Sequence, residues 1–112
     1  MSPITSHVLD TALGRPASGL RVRLQLRAAD GWRTLAERAT NQDGRVTDLL
    51  APGTLKRGSY KMIFETGEYL LASGRPVFYP QVEILFLVDV EAEHYHIPLL
   101  LSPFGYSTYR GS

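Results

Sequence analysis

Apolar and polar residues alternate strictly along the segment LRVRLQLR, residues 20–27. One face of this segment carries only Leu and Val side chains, and the other face carries Arg21, Arg23, Gln25 and Arg27. A two-residue period predicts a β-strand with one buried face and one solvated face. The next residues, AADG, predict a hairpin turn, because a glycine after an aspartate accepts the positive φ that such turns need.

Similar β character recurs to the end of the chain, with turn residues between the segments. Further strands are predicted at WRTLAERAT (32–40), Arg45–Thr47, SYKMIFET (59–66), YPQVEILFLVDV (79–90), HYHIPLLLS (94–102) and GYSTYRG (105–111). The segment GEYLLASG (67–74) contains good helix formers and predicts one short helix that ends at Gly74. Seven or eight short strands separated by turns predict an all-β sandwich. A parallel α/β fold is not expected, because it would need several crossover helices and only one helix is predicted.

The composition of the chain is that of an ordinary soluble globular domain. The 112 residues, with 44% hydrophobic and 21% charged, are expected to form a single domain, residues 1–112. No apolar run approaches the length of a membrane span, and no leader precedes Ile4, so we expect a cytoplasmic protein. A net charge of +1 with dispersed arginines gives no reason to expect nucleic acid or membrane as a partner. The absence of cysteine excludes disulfides and a thiolate nucleophile.

The three histidines are His7, His94 and His96. His94 and His96 are two residues apart on a predicted strand, so their side chains leave the same face of it. The residues between and after them form an apolar row that is predicted to face the core. A histidine pair opposite such a row is either solvated surface or part of a site.

Two kinds of chemistry are open to these histidines. His7, His94 and His96 together match the ligand count of a catalytic zinc site. A neutral imidazole can instead activate water and later return a proton without any metal. The residue types do not separate these alternatives.

Two other features are ordinary by themselves. Arg45 follows the Asp43-Gly44 turn, where a solvated arginine is common. The chain ends in Tyr109-Arg110-Gly111-Ser112, which is either the end of an edge strand or part of a binding site. Glycine would let the backbone pass close to a ligand, and an arginine could form a planar fork to a carbonyl or carboxylate.

Taken together, three segments resemble the 5-hydroxyisourate hydrolase family, the transthyretin-related enzymes of urate breakdown. They are ITSHVLDTALGRPASGLRVRL (4–24), NQDGR (41–45) and HYHIPLLLSPFGYSTYRGS (94–112). They occur in the family's order and cover essentially the whole chain. The terminal Tyr-Arg-Gly-Ser is the most specific of these signatures.

The resemblance implies a transthyretin-like β-sandwich of two four-stranded sheets with one short helix after the fifth strand. It implies a homotetramer, built as a dimer of dimers, with active sites in the channel between the dimers. The implied reaction is the hydrolytic opening of the six-membered ring of 5-hydroxyisourate. Its product would be 2-oxo-4-hydroxy-4-carboxy-5-ureidoimidazoline, formed without a cofactor or a metal.

The family's catalytic residues match four positions in this chain: His7, Arg45, His96 and Ser112. Substrate contacts are expected from His7, Arg45, Tyr109, Arg110 and Gly111, and His94 is expected to be accessory. Two alternatives remain. The chain could be a small-molecule carrier like transthyretin, which lacks the histidines and the Tyr-Arg-Gly-Ser end, or a zinc hydrolase using His7, His94 and His96.

Overall fold

A computed structural model describes residues 2–112 of the chain. It contains nine β-strands and one α-helix within that range. The strands are β1 (Ile4–Asp10), β2 (Arg15–Pro16), β3 (Arg21–Ala28), β4 (Gly31–Ala39), β5 (Arg45–Val46), β6 (Gly58–Phe64), β7 (Val82–Val88), β8 (Tyr95–Ser102) and β9 (Gly105–Thr108). The helix α1 (Thr66–Ala72) lies between β6 and β7, close to its predicted position.

The strands form two sheets, as predicted for a sandwich. One sheet has the order β4-β3-β6-β7. The other has the order β2-β1-β8-β9, and β5 pairs with β1 as a fifth strand. The expected four-strand count therefore holds for one sheet, and the other gains a strand because β2 and β5 are separate two-residue strands. For the same reason α1 follows the sixth strand instead of the fifth.

The two ends of the chain are joined by the parallel pairing of β1 with β8. Ile4 lies opposite Tyr95 at one end of this pairing, and Asp10 lies opposite Leu101 at the other. All other strand pairs of the two sheets are antiparallel. The residues around position 5 are therefore held next to those around position 96, although about ninety residues separate them in the sequence.

The core lies between the sheets and confirms most of the predicted alternation. In β8 the inward row is almost fully buried. The same holds for the inward rows of β3 and β6, apart from the half-buried Leu26. Ile63 departs from the pattern, since it is only 3% exposed on the opposite face of β6. It lies between Arg23 and Glu83 in the strand register, and the aliphatic stems of such long side chains can cover a neighbour on the same face.

Strand β4 alternates less strictly because its pairing with β3 contains a register shift between Leu24 and Gln25. Leu24 lies opposite Ala36, whereas Gln25 lies opposite Thr34. Leu35 is the extra residue at this bulge, and an extra residue reverses the face that later side chains point to. Ala36 is buried as a result, and Leu35 is half-buried.

The turn that precedes β5 is pressed against β1. Gly44 has φ +74°, and a Cβ atom at this position would overlap the carbonyl oxygen of Val8. The Val8 amide donates a hydrogen bond to the Gly44 carbonyl at 2.7 Å. Glycine is required here both for its positive φ and for the close approach. This contact brings Arg45, the next residue, alongside β1.

No helix within residues 2–112 has the length and apolar character needed to cross a membrane.

Candidate active site

Three strands of one sheet carry a polar group of side chains formed by His7, Arg45 and His96. His7 on β1 is paired with Arg45 on β5, on one side of β1. Thr5 on β1 is paired with His96 on β8, on the other side. Thr5 and His7 are two residues apart on one strand and so project from the same face. Residues from both ends and from the middle of the chain thus meet on the outer face of this sheet.

The Asn41–Gly44 turn sets the backbone position of Arg45. The Asn41 side-chain oxygen accepts hydrogen bonds from the amides of Asp43 and Arg45, both at 2.9 Å. The Asn41 amide donates to the Arg45 carbonyl, also at 2.9 Å. Asparagine is suited to this position because its short side chain can bond to the backbone two and four residues ahead. Three hydrogen bonds therefore fix the turn from which the Arg45 side chain projects.

The His96 ring is held by the Thr5 hydroxyl. Thr5 Oγ1 lies 2.8 Å from His96 Nδ1 and 3.0 Å from His94 Nε2. The two rings are nearly parallel, with centroids 6.3 Å apart and 19° between their planes. Thr5 is itself buried, at 6% exposure, and His96 is half-buried. One hydroxyl thus connects His96 on β8 with His94, which lies just before this strand.

Gly111 closes the opposite side of His96. Its amide donates a hydrogen bond to the His96 carbonyl at 2.8 Å, which forms an isolated antiparallel bridge. A Cβ atom on Gly111 would lie 2.5 Å from His96 Cδ2, so no side chain fits at this position without moving the ring. The backbone at Gly111 thus passes close to a catalytic candidate, and the expected contact of Gly111 with substrate stays a prediction.

The environment keeps two of the histidines uncharged at neutral pH. Burial lowers the pKa of His7 from its ordinary value of 6.5, and the neighbouring charge of Arg45 lowers it further, against the opposing effect of Asp43. Burial also lowers the pKa of His96, with further contributions from Arg45, His94 and His7. A nearby positive charge and loss of water both disfavour the imidazolium form. Neutral imidazoles are the form that can accept a proton from water.

Tyr109 and Arg110 lie beside a cleft next to the polar group. Tyr109 and Arg110 line a cleft of about 250 Å³ at the edge of the sandwich, which His96 also borders. The Arg110 guanidinium lies 4.4 Å from the centre of the Tyr95 ring and 3.5 Å from the carboxylate of Glu93. Tyr95 belongs to the inward row of β8, so Arg110 reaches toward the face opposite His96.

Of the residues expected to bind substrate or catalyse, the structure places His7, Arg45 and His96 together, with Gly111 packed against His96. Ser112 follows Gly111 and is exposed. Arg110 contacts Tyr95 and Glu93 and borders the same cleft as His96. The roles of these residues stay predictions.

The zinc alternative can be compared with the geometry of the described chain. Within residues 2–112, no three His, Asp or Glu side chains are grouped so that they could hold one metal ion. His7, His94 and His96 are therefore near one another without forming a three-ligand set in a single chain.

Thr5 has a position that sequence reasoning missed. Its place two residues before His7, on the same face of one strand, was a usable signal. The contacts of Thr5 with His94 and His96 could not be predicted in this way, because the parallel pairing of the two chain ends is a property of the folded sheet.

The fold and this polar group define the class of the protein. A two-sheet sandwich with one short helix is a transthyretin-like architecture, and His7, Arg45 and His96 lie on its outer face. The model of the HIUase/Transthyretin family matches residues 4–111, and the chain belongs to this family.

Relatives of two functional kinds are similar to this chain. A 5-hydroxyisourate hydrolase of Mus musculus is 49% identical and is aligned over 99% of this chain and 96% of its own length. The structure of Klebsiella pneumoniae 5-hydroxyisourate hydrolase superimposes with a TM-score of 0.88 at 36% identity, over 100% of both chains. Sea bream transthyretin in complex with thyroxine superimposes with a TM-score of 0.93 at 30% identity, over 98% of this chain and 95% of its own. Since the backbone resembles a hydrolase and a thyroxine-binding protein alike, the side chains must distinguish the two functions.

Proposed function

We propose that this protein hydrolyses 5-hydroxyisourate to 2-oxo-4-hydroxy-4-carboxy-5-ureidoimidazoline, a step of urate breakdown. The observation that carries the proposal is the convergence of His7, Arg45 and His96 on adjacent strands. The 49% identity to a full-length 5-hydroxyisourate hydrolase supports the same substrate. The whole chain acts as one domain in this proposal, which the family match over residues 4–111 supports.

The histidines supply the proton transfers that opening a cyclic amide requires. His96 and His7 orient a water molecule, and one imidazole takes its proton as the oxygen forms a bond to the ring carbonyl carbon. The carbon–nitrogen bond of the ring then breaks, and the imidazolium returns the proton to the departing nitrogen. The lowered pKa values of both histidines support this role, because each ring is neutral and ready to accept a proton at pH 7.

Arg45 provides the positive charge near the reacting carbonyl. The guanidinium binds the polar edge of the substrate through charge-assisted hydrogen bonds and stabilises the oxyanion that forms during attack. Its pairing with His7 supports this assignment, because the base and the cation then act on one small ligand. Tyr109, Gly111 and Ser112 wall the pocket around the substrate.

The active protein is a homotetramer in this proposal, with sites in the channel between two dimers. Two of the sheet edges support assembly, those formed by the terminal strands β7 and β9. Large apolar side chains on or beside these edges are exposed on the single chain: Leu85, Leu87, Phe104 and Tyr106. A second chain could cover both edges. Arg110 would then meet substrate only in the assembled protein.

The decisive experiment follows the ultraviolet absorbance of freshly generated 5-hydroxyisourate with and without the protein. We expect decay far faster than the spontaneous reaction, and an H96A variant slowed by about 10²–10⁴-fold, the usual worth of general acid–base catalysis. Activity should survive exhaustive treatment with a chelator. Wild-type protein that leaves the spontaneous rate unchanged would overturn the proposal, and activity lost on chelation would favour the zinc alternative.

A carrier function is the second candidate, because the sea bream transthyretin structure that this chain resembles holds thyroxine. The polar group on the outer face disfavours it, since two neutral histidines and an arginine suit a small polar ligand better than an aromatic hormone. Titration with thyroxine, read by calorimetry, should show no saturable binding. Tight binding together with no hydrolysis would establish the carrier.

A further inference from the structure

The hydroxyl of Thr5 has two ring nitrogens within hydrogen-bond distance, and it can donate a hydrogen bond to only one of them. His96 Nδ1 lies at 2.8 Å and His94 Nε2 at 3.0 Å. A hydroxyl has one hydrogen to donate, and a neutral imidazole has one N–H and one bare nitrogen. When Thr5 donates to one ring, the other ring must donate to Thr5. The protonation patterns of the two rings are therefore linked through this single oxygen.

The arrangement that suits catalysis has Thr5 donating to His94 Nε2 and accepting from the N–H on His96 Nδ1. His96 Nε2 then carries the free electron pair. His94 is exposed, so water can bond its other nitrogen while Nε2 accepts the Thr5 hydrogen.

The His96 ring is also fixed in orientation. Thr5 holds Nδ1, and Gly111 packs against the opposite edge at Cδ2. The remaining edge of the ring contains Cε1 and Nε2, which neither residue covers. Two contacts on opposite edges leave one nitrogen available to a ligand.

We propose that Thr5 is a positioning residue that selects the Nδ1–H tautomer of His96 and thereby presents Nε2 as the base for water. This inference rests on the proposed hydrolase function for its kinetic consequence. The tautomer itself is a property of the resting protein and needs no substrate. In the reaction, Nε2 takes a proton from water and becomes N–H, while Nδ1 stays bonded to Thr5.

The direct test is the ¹⁵N NMR spectrum of the histidine rings at neutral pH in the wild type. We expect His96 to carry its proton on Nδ1. In T5V, which keeps the shape of the side chain and removes the hydroxyl, we expect His96 to shift toward the Nε2–H tautomer that free histidine favours in water. T5S keeps the hydroxyl and should restore the wild-type tautomer. A wild-type His96 with its proton on Nε2 overturns the proposal even if T5V does not fold.

Kinetics on 5-hydroxyisourate provide the second readout. We expect kcat to fall by about tenfold to a hundredfold in T5V with KM nearly unchanged, because a misplaced base affects the reaction more than binding. T5S should recover most of the loss. S6A is the matched control, since Ser6 is the next residue of β1 and within residues 2–112 its hydroxyl bonds only to the Ile97 carbonyl. An equal loss in S6A, or no loss in T5V, would refute a specific role for Thr5.

The two proposals fail in different ways. Wild-type protein without hydrolase activity removes the proposed function and leaves the tautomer measurement intact. Full hydrolase activity together with the Nε2–H tautomer keeps the function and removes the role of Thr5.

Discussion

His7 and Arg45 lie opposite each other in the antiparallel pairing of β1 with β5, so an imidazole has a guanidinium as its strand neighbour. Burial and this charge lower the pKa of His7, and both also act on His96. In R45Q the pKa values of both histidines should rise toward 6.5, because the charge that opposes the imidazolium is gone. In R45K, which keeps the charge, they should stay low. NMR titration of the ring protons measures both effects, and unchanged values in R45Q would contradict the assignment.

The lowered pKa values also set the pH dependence of hydrolysis. The rings must be neutral to accept a proton from water, so kcat/KM should be constant around neutral pH. It should fall only as the pH drops below 6.5 and the rings become charged. A pH–rate profile in buffers of constant ionic strength tests this. An acidic limb with its midpoint above 6.5 would show that neither histidine is the base.

Gly111 and Gly105 make a matched pair for testing the contact with His96. A Cβ at Gly111 would lie 2.5 Å from His96 Cδ2, whereas a Cβ at Gly105 would meet nothing within 4 Å. Neither residue has a positive φ, so G111A and G105A differ mainly in this overlap. We expect G111A to lose about a hundredfold in kcat because the ring must move, and G105A to keep wild-type activity. Equal activity of the two variants would mean that the ring tolerates displacement.

Removal of Tyr109–Ser112 should abolish hydrolysis and leave the fold largely intact. These residues follow the last strand and none belongs to the hydrophobic core. Circular dichroism and thermal unfolding should resemble those of the full chain, while the decay of 5-hydroxyisourate should return to its spontaneous rate. R110A removes the contacts to Tyr95 and Glu93 and keeps the bridge between Gly111 and His96, so it separates the effect of the Arg110 side chain from that of the whole terminus. Full turnover by the truncated protein would refute the role of the terminus.

Asp10 at the end of β1 supports a prediction about stability. It is 1% exposed and accepts hydrogen bonds from Arg75 Nη1 at 3.2 Å and from the Tyr69 hydroxyl at 2.8 Å. Burial raises the pKa of Asp10, but these hydrogen bonds outweigh it and hold the pKa below 3.8. R75M leaves a buried carboxylate without its cation and should reduce the free energy of unfolding by roughly 2–3 kcal/mol. Y69F should cost about 1 kcal/mol.

The pH dependence of this cluster has a definite sign. A carboxylate with a lowered folded-state pKa stabilises the protein above its unfolded-state pKa, and the contribution is lost as the pH falls through the folded-state value. The difference between R75M and wild type should therefore be largest at neutral pH and shrink below pH 3.8. Urea unfolding at several pH values measures it. A difference that grows in acid would contradict the charge assignment.

Much of the fold follows from local patterns. The alternation in residues 20–27 correctly predicted a strand with a buried aliphatic face, and the helix formers near Glu68 predicted α1. Departures occur where a tertiary feature overrides the period. The bulge that displaces Leu35 and the cover over Ile63 both depend on a neighbouring strand, which a local pattern does not contain.

The candidate site also combines features that the sequence predicts with features that only the folded sheet sets. The amino-acid sequence by itself determined which groups are available: three histidines, an arginine after a tight turn, a glycine near the end, and a strand that turns His94 and His96 to one side. Only the tertiary structure decided which of them meet. The parallel pairing of β1 with β8 puts Thr5 beside His96, and the packing of Gly44 on β1 brings Arg45 to His7. Side-chain direction follows from the strand period alone, whereas proximity depends on hydrogen bonds between distant strands, which form only when the whole sheet does.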